Sequence, residues 1–100
     1  MDPLLEKWFS GFSSTVLIDF YADWCEPCSW VVPVLDEVGK HFNEKIKIVK
    51  INIDEHPEIT KSLMILSVPT LILFVDTKEV WRMRGFDTAP SLINILGNFV

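Results

Sequence analysis

Two cysteines separated by two residues sit where an apolar run gives way to a helical repeat, and this junction constrains the chain more than any other stretch. The segment reads Trp24-Cys25-Glu26-Pro27-Cys28, and it holds both cysteines of the sequence. Upstream, Val16-Leu17-Ile18-Asp19-Phe20-Tyr21-Ala22 is apolar on both faces but for one acid, as expected of a central, parallel strand over residues 15–22. Downstream, Trp30, Val31, Val34, Leu35, Val38 and Phe42 recur at helical spacing, which predicts a helix over 25–43 with an inward stripe of these residues. Cysteines at i and i+3 come onto one helix face and within disulfide reach. At a helix N-terminus, free backbone N–H groups and the dipole favour thiolate over thiol.

A chain of 100 residues with 49% hydrophobic residues has material for one packed core and is read as a single domain over 1–100. A formal charge of −5 argues against nucleic acid and anionic membrane as partners. Charged residues interrupt every apolar run before it reaches membrane-spanning length. The first residues lack a basic segment and a small-residue cleavage site, so no signal peptide is expected, and a reducing, cytoplasmic setting suits a working thiol pair.

Residues 3–10 read as a short helix, with Asp2 as cap, Pro3 at its first position and an apolar stripe of Leu4, Leu5, Trp8, Phe9 and Phe12. Pro33 should kink the second helix without stopping it, and Asn43-Glu44 should end it. Ile46 to Ile53 predicts a second strand. A two-turn helix starting at Pro57 should turn Ile59, Leu63 and Leu66 inward. Leu71 to Val75 and Glu79 to Phe86 predict an antiparallel hairpin across Asp76-Thr77-Lys78, and Leu92, Ile93, Leu96 and Phe99 a last helix. The order is α-β-α-β-α-β-β-α: a mixed, four-stranded α/β sheet between helix layers.

Val16 through Cys28, taken with Pro33, Lys50-Ile51-Asn52-Ile53-Asp54, Val68-Pro69-Thr70 and Gly85, resembles the thioredoxin family from about residue 15 to the C-terminus. The resemblance implies a thioredoxin-like fold and a disulfide reductase that works by dithiol–disulfide exchange. It makes Cys25 the exposed nucleophile and Cys28 the buried resolving thiol. Asp19 would accept the Cys28 proton, with Lys50 as its counter-charge. Pro69 would be cis, holding the Val68 backbone beside the sulfurs, with Trp24 and Gly85 lining the same substrate groove. Glu26 and Pro27 would tune the redox pair, with no cofactor beyond the two sulfurs. The implied partners are protein disulfides and a thioredoxin reductase as electron donor.

Two departures stand out. The family's usual first strand has no room here, which would leave the edge of the 46–53 strand bare and makes the chain a monomer or weak dimer. Glu26 stands where the family usually carries glycine.

The alternatives are specific. Asp19 could be a hydrogen-bonded structural acid, Lys50 a solvated edge lysine, and Trp24 loop packing. Half a zinc site would need about four ligands, and only His41 and His56 could join the cysteines, at unsuitable spacing. A redox-inert interaction module would not need CxxC, Asp19 and Pro69 together. An oxidase or isomerase of the same fold would differ in reduction potential.

Overall fold

The computed structural model describes residues 14–100. The expected helix over 3–10, with Trp8 in its stripe, lies outside the described residues. From Thr15 onward the strands and helices follow the predicted order: β1 (Thr15–Tyr21), α1 (Glu26–Phe42), β2 (Lys47–Asn52), α2 (Pro57–Ser62), β3 (Thr70–Val75), β4 (Lys78–Arg84) and α3 (Ala89–Leu96). Short 3-10 turns follow α1 and α3.

The four strands form one mixed sheet in the order β2-β1-β3-β4. β1 runs parallel to β2, in a register that sets Asp19 opposite Lys50, and antiparallel to β3. The apolar run of β1 thus lies between two neighbours, as its two-faced hydrophobicity demands. Val16, Leu17, Ile18 and Phe20 are fully buried. Alternate residues feed opposite layers. Leu17, Leu71 and Leu73 pack against Val31, Leu35 and Val38 of α1 and Leu92 and Leu96 of α3. Val16, Ile18, Phe20, Val49, Ile51, Ile72 and Phe74 form the other layer, with Ile59 of α2. Truncating Leu17 or Leu35 to alanine would cost about 2–5 kcal/mol.

β3 and β4 join through a two-residue turn in which Asp76 and Thr77 both have positive φ, the backbone twist that a tight hairpin demands. A register shift between Leu73 and Phe74 bends the pair. α1 continues through Pro33 and ends at Asn43, whose N–H donates to the Gly39 carbonyl. Among the described residues β2 is a sheet edge.

Two expected core positions are corrected. Trp30 is 55% exposed, because α1 turns Cys28, Val31, Leu35, Val38 and Phe42 inward and Trp30 falls off that stripe. Leu66 is 69% exposed, because α2 stops at Ser62 and Leu66 no longer shares its inward face.

Candidate active site

The two cysteines are positioned by the end of the central strand and the start of α1. After Tyr21 the chain turns, and the Cys25 N–H donates to the Ala22 carbonyl at 3.2 Å. Cys25 is the N-cap of α1, in extended conformation, and its Sγ accepts the Cys28 backbone N–H at 3.3 Å. Pro27 suits the first turn because no helical partner exists there for the N–H that it lacks. Cys25 and Cys28 are joined by a disulfide, with their Cα atoms 5.4 Å apart.

Both cysteines are buried, at 8% and 5% exposure, so accessibility separates them less than the expected contrast of exposed and buried thiols. Helix geometry separates them better. Cys25 Sγ lies at the positive end of the α1 dipole and receives a backbone N–H, two effects that favour negative charge on that sulfur.

A cavity of about 290 Å³ brings Asp19 and Lys50 to the same space as Cys25 and Cys28, with Tyr21, Ser29 and Val32 also on its wall. Asp19 is 2% exposed, and its Oδ1 makes no hydrogen bond within the described residues. It is therefore neither a solvated edge acid nor a fully satisfied structural one. Burial pushes its carboxyl up to about 6, and the nearby Lys50 charge opposes that rise. Lys50 itself is exposed, although it also lines this cavity.

The loop before β3 forms another part of the site. The Val68–Pro69 peptide is cis, as the resemblance implies. Val68 packs against Ala22, Cys25 and Cys28. Gly85, with φ +104°, donates its N–H to the Pro69 carbonyl at 2.7 Å, which ties the end of β4 to this loop. Only glycine adopts that backbone conformation readily.

Trp24 is 69% exposed, with most of its surface open to solvent. Its Nε1 donates to Asp54 Oδ2 at 2.9 Å, a tether that sequence reasoning missed. Asp54 was visible only as the end of the second strand segment. It is brought round by a turn in which Asn52 Oδ1 accepts the Asp54 N–H at 2.9 Å. Glu26 and Pro27 are exposed beside the disulfide. Among the described residues no group of three or more His, Cys, Asp or Glu side chains could hold a metal, and no helix is long and apolar enough to cross a membrane.

Comparison with known proteins agrees with this geometry. The Thioredoxin family model matches residues 6–98. A thioredoxin-like protein of Synechocystis is 44% identical over 91 residues, covering 91% of this chain and 87% of that one. Thioredoxin 1 of Synechococcus elongatus is 40% identical over 84 residues, 84% of this chain and 78% of its own. Among solved structures, chloroplastic thioredoxin z superposes with a TM-score of 0.82 at 30% identity, covering 95% of this chain and 86% of that one. A mutant thioredoxin from Halobacterium salinarum gives 0.79 at 31% identity, over 87% and 75%. A buried CxxC disulfide at the end of the central strand, in a fold shared with these proteins, leads to one conclusion: the chain belongs to the thioredoxin family and is a thiol–disulfide oxidoreductase that reduces protein disulfides.

Proposed function

We propose that Cys25 is the attacking thiol and Cys28 the resolving one. The Cys25 thiolate attacks one sulfur of a client disulfide. A Cys25–client bond forms, and the other client sulfur leaves as a thiolate. Cys28 gives its proton to Asp19 and attacks Cys25 Sγ. The intramolecular disulfide closes, and the second client thiolate departs with the electron pair of the broken bond. Two electrons have then passed from the dithiol to the client, and the leaving thiolates take up protons from Asp19 and solvent. The observation that carries this assignment is the Cys28 N–H directed at Cys25 Sγ from the helix start.

Asp19 suits the proton-accepting role because a carboxyl titrating at about 6 is a better base near neutral pH than an ordinary one. Lys50 acts as its counter-charge. The Val68 backbone, held by Pro69 and Gly85, pairs with an extended client segment, with Trp24 as a further wall. Glu26 and Pro27 tune the pair from within the spacer. No cofactor is required, since the two sulfurs carry both electrons. The electrons are restored by a thioredoxin reductase. We place the chain in the cytoplasm as a single domain over 1–100. Its β2 edge allows a weak dimer in equilibrium with monomer.

The experiment is a trapping series with insulin as client. Cys25→Ser abolishes dithiothreitol-driven insulin reduction, and Cys28→Ser accumulates a mixed disulfide that mass spectrometry places on Cys25. Adducts on Cys28 in the Cys25→Ser protein would reverse the assignment. Undiminished activity in both variants would move the chemistry elsewhere.

A further inference from the structure

We infer that Glu26 and Trp30 form a subsite, continuous with the reactive disulfide, that selects clients carrying a cationic side chain, arginine above all, beside the disulfide to be reduced. The inference rests on the reading of Cys25 as the attacking thiol.

Glu26 is the first residue of α1, next to Cys25, and is exposed. Trp30 follows four residues later on the same helix and is 55% exposed. Residues at i and i+4 are surface neighbours. A helical side chain leans toward the N-terminus and covers the turn before its own Cα. By that rule the turn that carries Glu26, at the disulfide end of the helix, is the surface within reach of the Trp30 indole. A tryptophan near the start of a helix that leaves more than half of its surface in water offers that surface to a partner, and tryptophan is among the residues most enriched at binding hot spots.

Among the described residues neither side chain is occupied: the Glu26 carboxylate and the Trp30 indole make no hydrogen bond, ion pair or ring contact there. The other exposed indole beside the cysteines differs: Trp24 has its N–H bound to Asp54. An open carboxylate next to an open aromatic face has one complementary group. A guanidinium donates two N–H bonds to the carboxylate while its plane stacks on the indole. Lysine satisfies the charge but not the fork. An apolar side chain would cover the indole and leave the carboxylate without a partner, and an acidic one would be repelled.

The test uses three cyclic disulfide peptides that differ only in the residue beside one cysteine: Arg, Gln or Glu. The readout is kcat/KM for reduction at low ionic strength. The wild type prefers Arg over Gln by about two- to five-fold, the range for one exposed ion pair with an aromatic contact. Glu26→Gln and Trp30→Ala each lower that preference, through KM rather than kcat. Glu44→Gln, the same charge change in the 3-10 turn beyond the far end of α1, leaves it intact. Any effect of Glu26 on the reduction potential falls equally on all three peptides and cancels in the ratio. A preference that survives both Glu26→Gln and Trp30→Ala, or that Glu44→Gln removes equally, overturns the subsite in favour of the general negative field of the molecule. A wild type that reduces all three peptides alike overturns the subsite alone. A wild type that reduces none of them overturns the assigned reaction, and the subsite with it.

Discussion

Asp19 and Lys50 stand opposite each other in the parallel β1–β2 ladder, yet Asp19 is almost fully buried and Lys50 is exposed. The carboxyl therefore feels two opposed influences. Burial raises its affinity for a proton, and the lysine charge lowers it, with burial the larger. The net result is a carboxyl that titrates at about 6, on the wall of the cavity that also reaches both cysteines.

The stability of the oxidised protein should report this shift. In the unfolded chain Asp19 titrates near 3.8, and in the folded chain at about 6. Its proton is thus held more tightly when folded. The associated stabilisation is complete below pH 3.8 and is lost as pH rises through 6, a swing of about 3 kcal/mol. Asp19→Asn cannot titrate. Between pH 4 and pH 8 its stability relative to wild type should therefore rise by about 2–3 kcal/mol. Urea unfolding at both pH values checks this. A wild-type-to-variant difference that does not change with pH would mean that Asp19 titrates at its ordinary value.

Lys50→Met removes the charge that restrains the rise. The Asp19 carboxyl should then titrate above 6, as followed by its carboxyl carbon chemical shift. Resolution of the mixed disulfide should slow most near pH 6, where the protonated fraction grows. An unchanged titration would show that the lysine charge is fully screened by solvent.

Glu26→Gly removes a carboxylate that competes with the Cys25 thiolate for the positive end of α1. The Cys25 pKa should fall slightly, and the reduced form should gain about 0.3–0.5 kcal/mol, the scale of an exposed charge pair. That makes the potential about 10 mV less negative. Thiolate absorbance and equilibration with glutathione measure the two quantities. A higher Cys25 pKa would contradict the electrostatic argument.

Gly85→Ala isolates a backbone cost. A Cβ at this position meets nothing within 4 Å, so no side chain must move. The φ of +104° remains unfavourable for any L-residue. The loss should be about 1–2 kcal/mol in chemical unfolding. A loss below a few tenths would mean that the backbone at 85 relaxes freely.

Much of this arrangement was legible in the residues. The two-faced apolar run at 16–22 located the central strand, and its lone acid marked Asp19 as a residue needing an account. The cysteine spacing located the helix start. What escaped was information that periodicity does not carry. A helical stripe built from Trp30, Val31, Val34 and Leu35 is too wide for one face, and only the narrower set at 28, 31, 35, 38 and 42 is buried. Trp30 was the odd member by one position. The Trp24–Asp54 bond joins residues thirty apart through a turn, and no local pattern announces it. The spacing of Leu66 continues that of Ile59 and Leu63, but the chain leaves helical conformation at Met64, where φ is +56°.

The single reactive sulfur pair at the end of β1 has a kinetic consequence. One pair of atoms must meet both the client that takes electrons and the donor that supplies them. The two encounters therefore exclude each other in time. Turnover must alternate between them, giving parallel lines in double-reciprocal plots, and a reduced client product that lingers on this surface acts as a competitive inhibitor of recharging. The throughput of the carrier is thus set as much by how quickly it lets go as by how quickly sulfur attacks sulfur.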